Sequence, residues 1–190
     1  MLFELPTKLN IGGTDYAIRS DYRAVLEICT ALSDTELSDE EKAIVTLVIF
    51  YPDFEQMPPE DLQEALEKCF AFIDHGQGAP GKSAPRLMDW EKDFQHIIAP
   101  INRVAGKEIR SVDYMHWWTF LSFFSEIGAD CLFAQIVRIR EKKARGKPLD
   151  KEEQKFYREN RQLVDFKTNY TDAEHEILKQ WGGGGNGRQG

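Results

Sequence analysis

The chain is poor in the features that usually announce chemistry. It has only three cysteines, Cys29, Cys69 and Cys131, far apart and set in apolar helical patterns, which excludes a disulfide framework and reads as small core side chains in a reducing compartment. Its four histidines, His75, His96, His116 and His175, are scattered. No Cys-x-x-Cys, His-Glu-x-x-His or carboxylate cluster stands at ligand spacing, so no metal and no other cofactor is expected. No stretch approaches the roughly 20 apolar residues of a membrane span, and the first residues lack a basic region followed by an apolar run. A cytoplasmic protein without a membrane partner is the expectation. Positive charge is also short: 24 Lys and Arg against 32 Asp and Glu leave a net charge of −8, the wrong sign for a general nucleic-acid binder.

What the chain does have is apolar and aromatic content, 42% and 12% of 190 residues, enough for one domain or two small packed lobes. Leu9 and Ile11 alternate with polar residues, Gly12-Gly13 supply a turn, and Tyr16 and Ile18 alternate again, which predicts a short β-hairpin. Two strands are marginal alone, so the hairpin must lie on helices or pair with another chain, and an exposed edge would be an assembly handle. Helical spacing follows. One helix is capped by Ser20 or Asp21 and carries Tyr22, Val25, Leu26, Cys29 and Leu32. A second opens at the capping box Ser38-Asp39-Glu40-Glu41, turns Ile44, Leu47, Val48 and Tyr51 inward, and stops at Pro52. A third starts near Pro58-Pro59 and buries Leu62, Ala65, Leu66, Cys69, Phe70 and Ile73.

Residues 76–87 are the only internal Gly/Pro-rich segment. After it, Asp89 caps a helix with Trp90, Phe94, Ile97, Ile98, Ile101, Val104 and Ala105 on one stripe, closed by Gly106, and Pro100 should kink or split it. The densest aromatic stretch comes next, a predicted helix over 112–127. His116, Trp117, Phe120, Leu121, Phe123, Phe124 and Ile127 share one broad arc, while Met115 and Trp118 fall on the other. Trp117, Phe120 and Phe124 read as core, with His116 a satisfied core histidine whose ring N–H could go to Asp113. Trp118 faces the polar arc, so it packs against the other lobe or a partner. Beyond Gly128, Leu132, Phe133, Ile136, Val137 and Ile139 define a helix that runs into a basic stretch over 138–147. The capping box Asp150-Lys151-Glu152-Glu153 opens a last helix with Phe156, Tyr157, Leu163 and Val164 inward. Residues 167–190 are a polar, Gly-rich tail. The organisation expected is thus 1–75, hairpin and three helices; 76–87, loop; 88–166, helical lobe; 167–190, tail.

Two stretches carry possible chemistry. Gly76 to Ser83 matches the phosphate-binding pattern G-x-x-x-x-G-K-[ST] literally, with Gly76, Gly81, Lys82 and Ser83 at the defining positions. That motif works between a strand and a helix N-terminus, whereas the preceding residues have helical period and Pro85 falls where the helix should run. A surface loop is the preferred reading and nucleotide binding the alternative. Arg138, Arg140, Lys142, Lys143, Arg145 and Lys147 could bind phosphate or an acidic partner, but cations also gather at a helix C-terminus to complement its dipole, which is the simpler account.

The hairpin, Asp21-Tyr22-Arg23, the Leu37-Ser38-Asp39-Glu40-Glu41-Lys42 box, Met88-Asp89-Trp90-Glu91 with Asp93, and above all His116-Trp117-Trp118-Thr119-Phe120 occur in an order that resembles the bacteriophage gene-product-fifteen family of Gram-positive siphophages and prophages. The likeness runs to about residue 164. It implies a mainly α protein, a helical bundle in two packed lobes with a short N-terminal β-hairpin, encoded among tail-morphogenesis genes and without catalytic residues. It further implies an assembly chaperone in the bacterial host cytoplasm that coats the tape-measure protein and recruits tail-tube subunits, self-association being open; a structural virion component is the other non-enzymatic reading. Trp118, Met115, Tyr16 and Ile18 are the candidate partner-binding residues, and His116, Trp117, Phe120 and Phe124 the core anchor.

Overall fold

The computed structural model describes residues 4–75, 85 and 87–166. It is mainly α, with a two-stranded antiparallel hairpin at its start. Strands β1 (Lys8–Ile11) and β2 (Thr14–Ala17) pair in the register Leu9 with Tyr16 and Ile11 with Thr14. Gly12 and Gly13 both take positive φ, as a tight hairpin of right-handed twist requires. At Gly12 a Cβ would also lie 2.4 Å from the Asp61 carboxylate, so any other residue would add a close contact to the left-handed backbone. The hairpin lies on helix α3 (Leu62–Ile73), where Glu64 accepts the Gly12 N–H and Lys68 reaches the Asn10 carbonyl. Among the described residues no further strand pairs with β2.

Helix α1 (Tyr22–Ser33) starts where the Asp21 carboxylate accepts the Arg23 N–H, and α2 (Asp39–Phe50) starts at a complete capping box between Ser38 and Glu41. The face of α2 differs from the one its periodicity suggests. Thr46, Leu47 and Phe50 are buried, while Ile44 and Val48 stand in solvent at 55% and 46% exposure. The inward face is set by Phe50 and by Tyr51 just beyond the helix, whose rings meet edge to face and whose tyrosine O–H donates to the Ala65 carbonyl of α3. Anchoring that end turns Ile44 and Val48 outward. Helix α3 follows a 3-10 turn at Pro59–Asp61 and buries Ala65, Cys69 and Phe72.

Helix α4 (Trp90–Ala105) is continuous through Pro100 rather than split, held on both sides of it by buried Ile97, Ile98 and Ile101, and it ends at left-handed Gly106. A larger departure follows. Residues 112–116 are not helical: after a 3-10 turn at Ile109–Ser111 the chain bends and then forms a β-bridge at His116, and α5 spans only Trp117–Ser125. This piece is claimed by the start of α1, since the Tyr22 N–H donates to the Met115 carbonyl, the Trp117 N–H to the Ser20 carbonyl, and the Met115 N–H to the Asp21 carboxylate. Helix α6 (Leu132–Ala144) opens at Cys131, whose Sγ accepts the Ala134 N–H, so this cysteine caps a helix as well as packing. The expected last helix is divided by Asn160 into α7 (Lys151–Glu159) and α8 (Arg161–Val164), the Asn160 side chain turning back onto the Phe156 carbonyl. One apolar core runs from Ile11 to Phe133, shared by the elements on both sides of the expected loop. Among the described residues no helix is long and apolar enough to cross a membrane.

Candidate functional site

The His116-Trp117-Trp118 sequence is a junction. His116 is the N-cap of α5, its Nδ1 accepting the Trp118 N–H at 3.1 Å, while Nε2 bonds the Pro6 carbonyl at 3.0 Å. This requires the neutral ring with its proton on Nε2. Burial lowers the histidine pKa, and nearby His75 adds to that, against the opposing pull of the Pro6 carbonyl. Asp113, the expected acceptor, is not the partner, because residue 113 lies before the start of α5 rather than one helical turn back along it.

The paired tryptophans have a common task. The Trp117 indole N–H donates to the Ile73 carbonyl and the Trp118 indole N–H to the Phe72 carbonyl, both at 2.9 Å. These carbonyls belong to the last turn of α3, where helix geometry leaves acceptors short of partners, and the Phe72 carbonyl also accepts the His75 N–H. The double tryptophan is therefore the C-terminal cap of another helix, and the free choice left to Trp118 by periodicity resolves toward the N-terminal elements. Its ring stacks on Phe72 and meets His75 edge-on. On the opposite side, Trp117, Phe120 and Tyr22 form a near-parallel stack, with centroids 5.5 and 4.8 Å apart, and Trp90 packs across Trp117, Phe120 and Phe124.

Of the residues expected to meet a partner, Met115 and Ile18 are buried in the core, which corrects the reading of Met115 as part of a polar arc. Tyr16 is half-buried, edge-on to Tyr51, and Trp118 is half-buried on Phe72. Gly76, Gly81, Lys82 and Ser83 lie outside the described residues. What precedes them is the helix α3, not a strand, and no parallel sheet exists among the described residues. Among those residues, too, no three His, Cys, Asp or Glu side chains gather as metal ligands. Burial pushes the Cys29 thiol up to about 12 and raises that of Cys69 as well, which disfavours the thiolate at both.

The open surface lies beside the junction. A groove of about 610 Å³ separates α1 from α4, with Tyr22, Leu26, Thr30 and Ala31 on one wall, Trp90 and Phe94 on the other, and Leu37 and Arg110 at its margins. Tyr22, the outer ring of the aromatic stack, lines it together with Trp90 and Phe94. Glu27 and Asp34 rim it on the α1 side and Glu91 on the α4 side. A second hollow of about 510 Å³ shares Arg23 and Glu27 with it and reaches Ser20 and exposed Tyr114, whose hydroxyls lie 2.8 Å apart. Periodicity assigned Leu26, Trp90 and Phe94 to inward faces correctly but could not show that α1 and α4 stop short of closing over them.

Four cations of the basic stretch of α6 pair with carboxylates elsewhere in the chain, and of these Arg140 is buried. Arg140, at 5% exposure, pairs with fully buried Asp93 of α4 at 2.5 and 2.9 Å, and it also donates to the carbonyls of Leu87, Leu163 and Val164. Lys142 and Arg138 both reach buried Glu153 of α7, and Lys143 reaches Asp165. No reading from spacing could pair Asp93 with a residue 47 positions away.

The model of the family described as Bacteriophage Gp15 protein matches residues 2–166, and the chain belongs to that family. None of the curated proteins and none of the solved structures compared with the chain matches it.

Proposed function

We propose that the chain is a phage tail-morphogenesis protein that acts by binding, as an assembly chaperone holding the tape-measure protein in the host cytoplasm until tail-tube subunits are recruited. The observation that carries this reading beyond family membership is the groove between α1 and α4, an apolar trough with an acidic rim on a body of net charge −8. A holding protein needs that combination. Apolar contact surface captures exposed apolar segments of a long client, and like charge keeps the loaded complexes dispersed. Arg138, Arg140, Lys142 and Lys143 each pair with a carboxylate of the same chain, so much of the positive charge of α6 is neutralised where it stands rather than offered to nucleic acid.

The test is co-expression of the full chain with the tape-measure protein encoded by the same phage. The expected result is a soluble tape-measure protein retained on tagged chain and released when tail-tube subunits are added. A tape-measure protein never retained by the chain overturns the reading, and finding the chain in purified particles makes it a virion component instead.

A further inference from the structure

We infer that the groove between α1 and α4 seats an amphipathic helix whose apolar stripe is flanked by lysine or arginine, with Glu27 and Glu91 setting that preference; this rests on the groove being the contact surface of the function proposed above. Both walls are helices, whose backbone groups are spent on their own hydrogen bonds, so an extended segment would find no ladder to join. A space of about 610 Å³, open along its length, admits roughly two or three large side chains, which a helix presents at i, i+3 or i+4, and i+7.

Charge decides which helix. The cations at the groove are already engaged: Arg23 with Asp21 at 3.1 Å and with the Val112 carbonyl at 2.6 Å, Arg110 with Glu108 at 2.8 Å. Glu27 and Glu91, one on each wall, are exposed, and neither side chain has a hydrogen-bond or ion-pair partner among the described residues. The uncompensated charge at the rim is therefore negative on both sides of an apolar floor. A helix with flanking Lys or Arg gains charge-assisted contacts on both walls, and one with flanking Glu meets like charge on both.

The experiment uses the full chain and two synthetic helical peptides of about 20 residues with the same leucine stripe, one flanked by lysine and one by glutamate. Fluorescence anisotropy at low salt should show the lysine peptide binding at least about tenfold tighter. The double variant Glu27→Lys/Glu91→Lys should reverse the preference, and Leu26→Asp should abolish binding of both, with circular-dichroism melts showing that each variant is folded. Equal affinity for the two peptides, or a preference that survives the double variant, overturns the inference. So does a dimer in light scattering that Leu26→Asp dissolves, because the occupant is then a second copy. The tape-measure co-purification separates this from the reading beneath it. If the double variant retains that protein as well as the wild type does, the groove inference fails and the chaperone reading stands; if the peptide preference holds while the tape-measure protein is never retained, the reverse is true.

Discussion

Two buried corners hold this molecule, and they are built from opposite materials. Around the N-terminus of α5, Trp117, Phe120, Tyr22 and Trp90 bring large apolar rings together, and His116 and the Trp117 and Trp118 indole N–H groups each have a partner. Around Arg140, α4, α6 and α8 meet on an ion pair, and the five N–H donors of the guanidinium are matched by Asp93 and three carbonyls. Burial of the first set is favourable in itself. Burial of the second is costly and tolerated only because every donor is satisfied. The aromatic corner therefore supplies stability, and the charged corner dictates how the last helices dock.

Substitutions can break this contrast. Trp117→Ala should cost about 3–5 kcal/mol in urea unfolding, because it removes a fully buried ring and uncaps α3. Asp93→Ala should cost nearly as much, about 3–5 kcal/mol, by leaving Arg140 buried without its counter-charge. The corners part company in the double variant Asp93→Leu/Arg140→Met, which should recover most of that loss. A double variant as unstable as the single one would show that the pair adds stability of its own and would erase the distinction drawn between the corners.

Smaller changes sharpen it. Trp118→Phe keeps a ring against Phe72 but removes the indole donor from that carbonyl, which retains the His75 N–H, a loss of about 0.5–1.5 kcal/mol, measurable as a lower unfolding midpoint. The aromatic corner should also carry a pH signature. Because burial holds the His116 pKa below its ordinary 6.5, the unfolded chain binds more protons just below that pH. Its contribution is complete above 6.5 and declines as pH falls toward the folded value. Thermal midpoints between about pH 7 and pH 5.5 should drop in the wild type, and less in His116→Asn, which retains a capping acceptor. An unchanged slope in that variant would place the titration elsewhere.

How much of this was legible beforehand follows from the range of the interactions. The hairpin with its Gly12-Gly13 turn, both capping boxes, the Asp21 and Asp89 caps and the stop at Gly106 involve residues a few positions apart, so spacing alone reveals them. Trp117 and Phe120 were recognisable as core because ring size and period agree. The start of α5 was not, because residues 112–116 have helical period but the Met115 N–H goes to Asp21 and the Met115 carbonyl to the Tyr22 N–H, more than 90 positions earlier. Ile44 and Val48 had the period of a buried face and lie outside, since a neighbouring helix chose the other side of α2. Of the groove, sequence showed the aromatic floor and not the gap above it.

The chain on its own determined what is local: element order, mainly helical class, caps and turns, and which side chains are too apolar to stay in water. Those follow from backbone geometry and hydrophobic period within one or two turns. Tertiary structure alone decided that Trp117 and Trp118 finish α3, that Arg140 is buried on Asp93 rather than solvated at a helix end, and that α1 and α4 leave a groove with two unpaired carboxylates. Each of these depends on groups brought together from distant positions, whose pairing is chosen by packing as a whole and has no signature at any single spacing.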